Sequence, residues 1–188
     1  MKTLNRIMLL SILILFATSC QKNKSFDTDL PDSVEMNDAV IFLNGEPTEN
    51  YSLREVLNRE VYGIMTYSFA DLHPEIAGVT TFGFDRCPRS TGLFKISSDK
   101  DVALEDETLC LASMSQTVFD DLRGQEFELY EDADNYLEIT ELDFENKFAK
   151  GHFKVKFRRT YNGGSGISDY KLPKFVTFEG IFAQEFRE

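Results

Sequence analysis

From residue 64 to the C-terminus, the sequence alternates between short apolar runs and turn residues. The runs are rich in β-branched and aromatic side chains, which favour a pleated, half-buried surface. An earlier run at 39–43 ends at Asn44-Gly45, a strong turn signal. The predicted strands therefore cover residues 39–43, 64–70, 79–84, 93–97, 108–114, 127–130, 136–143, 148–159 and 174–186.

The clearest alternation of apolar and charged side chains lies between residues 152 and 159. Because successive side chains of a strand point to opposite faces, this strand has one buried and one solvated face. The predicted core residues are Phe153, Val155 and Phe157, and the charged face consists of His152, Lys154, Lys156 and Arg158.

Two neighbouring strands are interpreted from the same alternation of side chains. Residues 143–147 form a predicted tight turn, so the strand before it pairs antiparallel with 148–159 and sets Glu138 opposite Lys154 or Lys156, depending on register. In the last strand the apolar side chains share one parity, and Gly180 among them indicates a bulge or a close backbone approach. The residues of that parity are Val176, Phe178, Phe182 and Phe186.

Residues 52–61 are the one segment with a helical pattern. Ser52 and Glu55 have capping-box spacing, and the apolar side chains that follow lie on one helical face. Several short antiparallel strands with regular turns imply a sandwich or a barrel. The predicted fold class is mainly β: an antiparallel β-sandwich or flattened barrel with one short N-terminal helix.

The first twenty residues predict export. Lys2 and Arg6 precede an apolar run at 7–16 that is too short to span a bilayer comfortably, and small residues follow. Residues 1–20 are therefore predicted to be a signal peptide. The end of this segment, Ala17-Thr18-Ser19-Cys20, resembles the lipobox of bacterial lipoproteins, which implies acylation, for instance with palmitate, at Cys20. An ordinary cleaved signal that ends near a cysteine is the alternative.

The segment after the signal predicts the domain organisation. Residues 21–37 are polar and acidic, contain Pro31 and show no sustained periodicity, so they are predicted to be a flexible tether. Residues 38–188 are long enough for a single β-rich domain.

Charge limits the class of partner. Residues 1–20 contain two of the 20 basic residues and none of the 32 acidic ones, so the mature chain has a formal charge of −14. Binding to phosphates needs a basic patch, and none stands out in the sequence. We therefore expect no nucleic acid among the partners.

Cysteine usage agrees with export. Once Cys20 is acylated, Cys87 and Cys110 remain, an even pair in an oxidising compartment, and a disulfide between them is predicted. The alternatives are two buried free thiols or, less simply, a metal site.

Residues suited to chemistry are few. His73 and His152 are isolated, and neither belongs to a recognisable nucleophile motif, so no catalytic residue and no cofactor are predicted. Oxygen atoms of Asp132, Asp134 and Asn135 form a candidate calcium site, although the loop lacks the glycine and terminal glutamate of an EF-hand. A solvated turn between two strands is the alternative.

The segments NYLEITELDFENKFAKGHFKVKF, at 135–157, and FVTFEGIFAQEF, after Pro173, resemble the C-terminal half of a family of Bacteroidetes lipoproteins. The shared features are the lipobox signal, an NYxxIT strand, an acidic turn, a GxFxVxF strand and a closing strand with aromatic-x-x-Gly-x-Phe spacing. The resemblance implies an all-β lipoprotein domain and brings no catalytic residues with it.

These observations predict a lipid-anchored protein of the bacterial cell envelope, at the outer membrane, on its periplasmic or surface face. The favoured function is a non-catalytic domain that binds an envelope protein, a glycan or a small ligand. One alternative is an envelope hydrolase whose carboxylates are brought together by the fold. Another is a lipocalin-like carrier, which requires an empty apolar cavity.

Overall fold

A computed structural model describes residues 30–49, 51–59, 64–73, 78–99, 108–118, 123–163 and 172–187. Within these ranges the regular structure consists of strands. They are β1 (Asp38–Leu43), β2 (Glu46–Thr48), β3 (Tyr51–Arg59), β4 (Ile64–His73), β5 (Gly78–Pro88), β6 (Gly92–Ser97), β7 (Leu109–Val118), β8 (Arg123–Leu129), β9 (Tyr136–Asp143), β10 (Phe148–Tyr161) and β11 (Phe175–Arg187).

All these strands belong to one sheet, and its pairings form a closed ring. β3, β4, β5 and β7 pair antiparallel in that order, and β7 then contacts β8. β8 pairs with β10, β10 pairs with β11, and β11 returns to β3 through a short parallel pairing. The predicted mainly β class is confirmed, and a closed ring of pairings is the connectivity of a flattened barrel.

Two long strands are shared between neighbours. One edge of β10 pairs with β11 over its length, while the other edge pairs first with β9 and then with β8. β7 is divided similarly between β6 and β8. At the point where β10 passes from β9 to β8, both of its backbone edges are therefore occupied.

The β9–β10 hairpin forms as predicted, with a register that the sequence left open. A bulge between Lys150 and Gly151 shifts the pairing, so Glu138 lies opposite His152 rather than opposite Lys154 or Lys156. The extra residue is Thr140, on β9, and it moves every later partner by one position.

The barrel interior is filled by aromatic rings from β4, β5, β10 and β11. Phe82 stacks on Phe178 with ring centroids 4.0 Å apart and on Phe69 at 4.9 Å. Phe69 also lies 4.8 Å from Phe153. Each of these side chains is buried. Rings at such distances occupy the space that a bound ligand would need, so the described interior does not support the carrier alternative.

The predicted inward parity of β10 and β11 is confirmed, since Phe153, Val155 and Phe157 and their partners on β11 are buried. A Cβ on Gly180 would lie 2.5 Å from the carbonyl oxygen of Val40. The pairings of β11 with β1 and β10 run without interruption through Gly180. Of the two alternatives for this glycine, the close backbone approach is therefore the correct one.

The predicted helix at 52–61 is wrong where the structure describes it, because Tyr51–Arg59 form β3. In β3, Val56 and Asn58 are buried and alternate with more exposed neighbours, as strand geometry requires. β4 and β11 supply backbone partners on its two sides, and this pairing overrides the weak local helical preference. Residues 60–63 lie outside the described residues.

The predicted signal peptide, Cys20 and residues 21–29 of the predicted tether also lie outside the described residues. β1 begins at Asp38, where the domain boundary was predicted. Among the described residues, there is no helix long and apolar enough to cross a membrane.

Candidate functional site

The outer face of β10 carries a row of cationic side chains, and most of them contact a carboxylate from a neighbouring strand. Lys150 Nζ lies 3.1 Å from Glu141 Oε2, and Lys154 Nζ lies 3.3 Å from Glu179 Oε2. Arg158 Nε donates to Glu128 Oε1 at 2.9 Å. Each of these carboxylates contacts a cationic side chain of β10, so it neutralises the positive charge at that position.

Lys156, in the same row, contacts aromatic rings. Its Nζ lies 5.5 Å from the ring centroid of Tyr130 and 5.2 Å from that of Phe175. The two rings meet edge to face at 5.2 Å, and Lys174 Nζ lies 5.5 Å from the Phe175 ring. We call Tyr130, Lys156, Lys174 and Phe175 the aromatic–lysine site.

Register explains why these four residues meet. Arg158 pairs with Phe175, so Lys156 lies two residues away from that pair on the same outer face of β10. Tyr130 directly follows β8, and its backbone N–H donates to the Lys156 carbonyl oxygen at 2.9 Å. The end of β8, the middle of β10 and the start of β11 thus each supply part of the site.

Asn135 holds the segment after Tyr130 against β10. Its Nδ2 donates to the Tyr130 carbonyl oxygen at 2.8 Å, and its Oδ1 accepts the Lys156 N–H at 2.8 Å. Glu131 is held from the other side, because its Oε1 accepts the Ser98 hydroxyl at 2.5 Å. These hydrogen bonds hold the backbone of Tyr130 and Lys156 in place, so the site is largely pre-organised.

The two ammonium groups of the site are not neutralised within the described part of the chain. Neither Lys156 nor Lys174 has a carboxylate partner there, and both contact aromatic rings. Cation–π contacts at exposed positions are weak compared with charge-assisted hydrogen bonds. An incoming anion therefore has two donors available close to one ring.

The site lies far from Asn37, where the predicted tether ends. Asn37 precedes β1, and its Oδ1 accepts the N–H of Glu185 at 3.0 Å. Phe175 lies at the other end of β11, ten residues from Glu185. This separation corresponds to about 33 Å along a strand. A domain held at Asn37 presents the aromatic–lysine site at its opposite end.

Of the three candidate calcium ligands, Asn135 already has protein partners for its side-chain atoms. Asp132 and Asp134 are exposed, whereas Asn135 is buried and uses both side-chain polar atoms in the hydrogen bonds given above. In the part of the chain that the structure describes, there is no group of three or more His, Cys, Asp or Glu side chains that suits a metal ion. The turn gains a clear structural role through Asn135, and the calcium site stays a prediction.

His152 is part of the charged row. Its Nε2 lies 3.0 Å from Glu138 Oε2, and its ring packs edge to face against Tyr136 at 5.9 Å. Burial lowers the pKa of His152, and the nearby Glu138 carboxylate opposes that shift. The side chain of His73 lies outside the described residues.

Cys87 and Cys110 lie together in the core, and both are free thiols, so the predicted disulfide is not formed. Burial raises the pKa of Cys87, and a hydrogen bond with the Cys110 side chain raises it further. Tyr67 lies close enough to both thiols for their charges to act on it, and burial is the main reason that its pKa is raised. The structure places the two thiols side by side, and their state is that of the alternative, two buried free thiols.

The aromatic–lysine site itself was not predicted. Lys156 was identified as a solvated residue, but Tyr130, Lys174 and Phe175 lie at the ends of predicted strands, where no local pattern marks them. The signal that identifies the site is the cross-strand register, which a single sequence does not show. No protein-family model, curated protein or solved structure matches this chain.

Proposed function

We propose that this protein is a lipid-anchored protein of the bacterial envelope whose β domain binds a ligand without transforming it. The signal segment and Cys20 support the anchor, and residues 21–37 supply the tether. The location that follows is the outer membrane, on its periplasmic or surface face. Its resemblance to Bacteroidetes lipoproteins agrees with this assignment.

The observation that carries the binding function is the aromatic–lysine site. Lys156 and Lys174 approach the same ring of Phe175 and have no carboxylate partner among the described residues, although the mature chain is strongly acidic. Aromatic side chains and a few placed polar groups are the usual composition of a ligand site. The position of this site, about 33 Å from the tether along β11, leaves it accessible on an anchored domain.

The anchor is tested by metabolic labelling with a palmitate analogue. We expect the wild-type protein to be labelled and to sediment with membranes, and we expect Cys20→Ala to lose both properties. Several acyl chains on one residue anchor stably, because each buried methylene contributes about 0.8 kcal/mol. Equal labelling of the two proteins would contradict acylation at Cys20.

The binding function is tested with immobilised full-length protein and a detergent extract of envelope material. We expect the wild type to retain sugar or peptide material, measured by total sugar and amino-acid analysis. The double variant Lys156→Met/Lys174→Met should retain much less. Lys150→Met, on the same face of β10 but paired with Glu141, is the matched control. Equal retention by the double variant would show that this site is not the binding site.

A further inference from the structure

We propose that the aromatic–lysine site binds a saccharide through a sugar ring that carries one carboxylate, such as a hexuronate residue. This inference rests on the proposed binding function and names its ligand class. It assigns the carboxylate to Lys156 and Lys174 and the sugar ring to Phe175 and Tyr130.

The two lysines supply the charge recognition. Their ammonium groups lie 5.2 and 5.5 Å from the centroid of the same Phe175 ring, so an anion bound beside that ring lies near both positive charges. A carboxylate would exchange weak contacts to the rings for charge-assisted hydrogen bonds, which are stronger. The exchange also withdraws the ammonium groups from the ring faces and leaves these faces available.

The rings supply the recognition of the sugar. Phe175 and Tyr130 are both partly exposed and meet edge to face, which forms a corner with two aromatic surfaces. The face of an aromatic ring is electron-rich and attracts the polarised C–H groups of a sugar ring. Tyr130 also carries a hydroxyl, and the exposed Asp132 lies two residues further along the same turn, so groups that bind sugar hydroxyls are available next to these rings in the sequence.

The surroundings of the aromatic–lysine site disfavour two other classes of ligand, extended peptides and densely charged polyanions. Both backbone edges of β10 are occupied at Lys156, by β8 and by β11, so an extended peptide cannot add to the sheet there. Glu128, Glu131 and Asp132 are exposed and lie within two residues of Tyr130 in the sequence, so their negative charge repels densely charged polyanions. A ligand with one negative charge on a ring with apolar faces meets both conditions.

The experiment uses the full-length protein and four defined probes. They are a galacturonate trisaccharide, its fully methyl-esterified form, inorganic phosphate, and vesicles of phosphatidylglycerol. Binding is measured by isothermal titration calorimetry for the soluble probes and by cosedimentation, with Cys20→Ala protein, for the vesicles. We expect the acidic trisaccharide to bind and its methyl ester to bind at least about tenfold more weakly, because a charge-assisted hydrogen bond is lost.

Variants assign the binding to this site. Lys156→Met and Lys174→Met should each weaken binding of the trisaccharide about tenfold. Phe175→Leu should weaken binding of the acidic trisaccharide, because leucine keeps an apolar side chain at this position but has no ring face. Lys150→Met should bind as the wild type does. Far-ultraviolet circular dichroism and thermal midpoints show whether each variant is folded. Lys174→Met changes an exposed residue and therefore tests the proposal even if Phe175→Leu does not fold.

Each contrary result has a definite meaning. Equal binding of the acid and its methyl ester overturns the carboxylate assignment. Equal affinity of the lysine variants and the wild type overturns the site. Binding to phosphatidylglycerol vesicles without binding to the trisaccharide shows that the ligand is a lipid headgroup. If envelope material is retained through the site and the trisaccharide does not bind, this inference fails and the proposed binding function stands.

Discussion

At the scale of single residues, the core contains a polar atom that the rest of the structure does not satisfy. The Tyr67 hydroxyl is fully buried and has no hydrogen-bond partner among the described residues. Its ring packs 5.4 Å from Phe182, so the aromatic part of the side chain is used and the hydroxyl is not. A buried donor without a partner keeps its full desolvation cost.

We therefore expect Tyr67→Phe to raise the free energy of unfolding by about 1 kcal/mol, because the ring contact is kept and the desolvation cost is removed. Urea denaturation measures the change. Tyr130→Phe, at the partly exposed surface, is the control and should stay within about 0.5 kcal/mol of the wild type. A clear loss of stability in Tyr67→Phe would mean that the hydroxyl has a partner in solution.

The neighbouring thiols give a second prediction. When the reduced, unfolded protein is refolded in a glutathione disulfide buffer, Cys87 and Cys110 should form one disulfide and reduce one oxidised glutathione to two glutathione thiols. The bond closes a loop of about 24 residues and should stabilise the fold by about 3 kcal/mol on the chain-entropy model. Mass spectrometry after alkylation of the denatured protein measures the state, and two alkylated cysteines after oxidation would disprove the pairing.

His152 gives a pH dependence. Since burial lowers its pKa below 6.5, the folded protein favours the neutral imidazole, and stability falls as the pH drops from the unfolded pKa towards the folded one. The Glu138 carboxylate opposes this shift, so Glu138→Gln should lower the pKa of His152 further. Proton NMR titration can follow both histidines, with His73 as the internal reference. An unchanged or raised pKa in Glu138→Gln would contradict this electrostatic account.

At the scale of elements, the sequence predicted the strands whose faces differ in polarity. β9, β10 and β11 alternate apolar and polar side chains, so parity and hairpin connection follow from local pattern. β3 was misassigned because Ser52, Glu55 and the apolar residues after them also fit helical spacing. Most of its pairing is with the neighbouring strand β4, whereas its other partner, β11, lies far away in the sequence and leaves no local signal. The aromatic–lysine site escaped prediction for the same reason.

The two faces of β10 and β11 give an element-scale prediction. Phe178→Ala should cost about 3–5 kcal/mol as a buried aromatic truncation, whereas Lys150→Ala, an exposed ion pair, should stay within about 0.5 kcal/mol. Lys154→Ala should fall between them, at about 2 kcal/mol, because it leaves the buried Glu179 carboxylate without its cation.

Denaturant midpoints of these three variants measure the order. Adding Glu179→Gln to Lys154→Ala should recover part of the loss, since the second substitution removes the unpaired charge. If Lys154→Ala were as mild as Lys150→Ala, the buried position of Glu179 would not hold in solution. If Lys150→Ala were as damaging as Phe178→Ala, the two-faced arrangement of the hairpin would have to be abandoned.

At the scale of the whole molecule, the proposed anchor and the fold together set an orientation. The tether enters at Asn37, beside Glu185, and the β9–β10 turn lies at the same end because the Phe186 N–H donates to the Lys147 carbonyl oxygen at 2.8 Å. A flexible tether of residues 21–37 has a root-mean-square reach of about 23 Å. The opposite end of the barrel, with Lys174 and Phe175, lies about 33 Å further along β11.

This orientation is testable with a fluorophore placed at either end of the acylated protein on lipid vesicles. Asn146→Cys labels the turn beside the tether and Lys174→Cys labels the far end, while Cys87 and Cys110 are buried and should not react in the folded protein. A nitroxide quencher on the lipid headgroups should quench the label at 146 more strongly, because the tether confines that end near the bilayer and the other end spends most of its time beyond contact range. Equal quenching at the two positions would show that the domain lies flat on the membrane or rotates freely. Stronger quenching at 174 would place the aromatic–lysine site against the bilayer, where a saccharide in solution could not reach it.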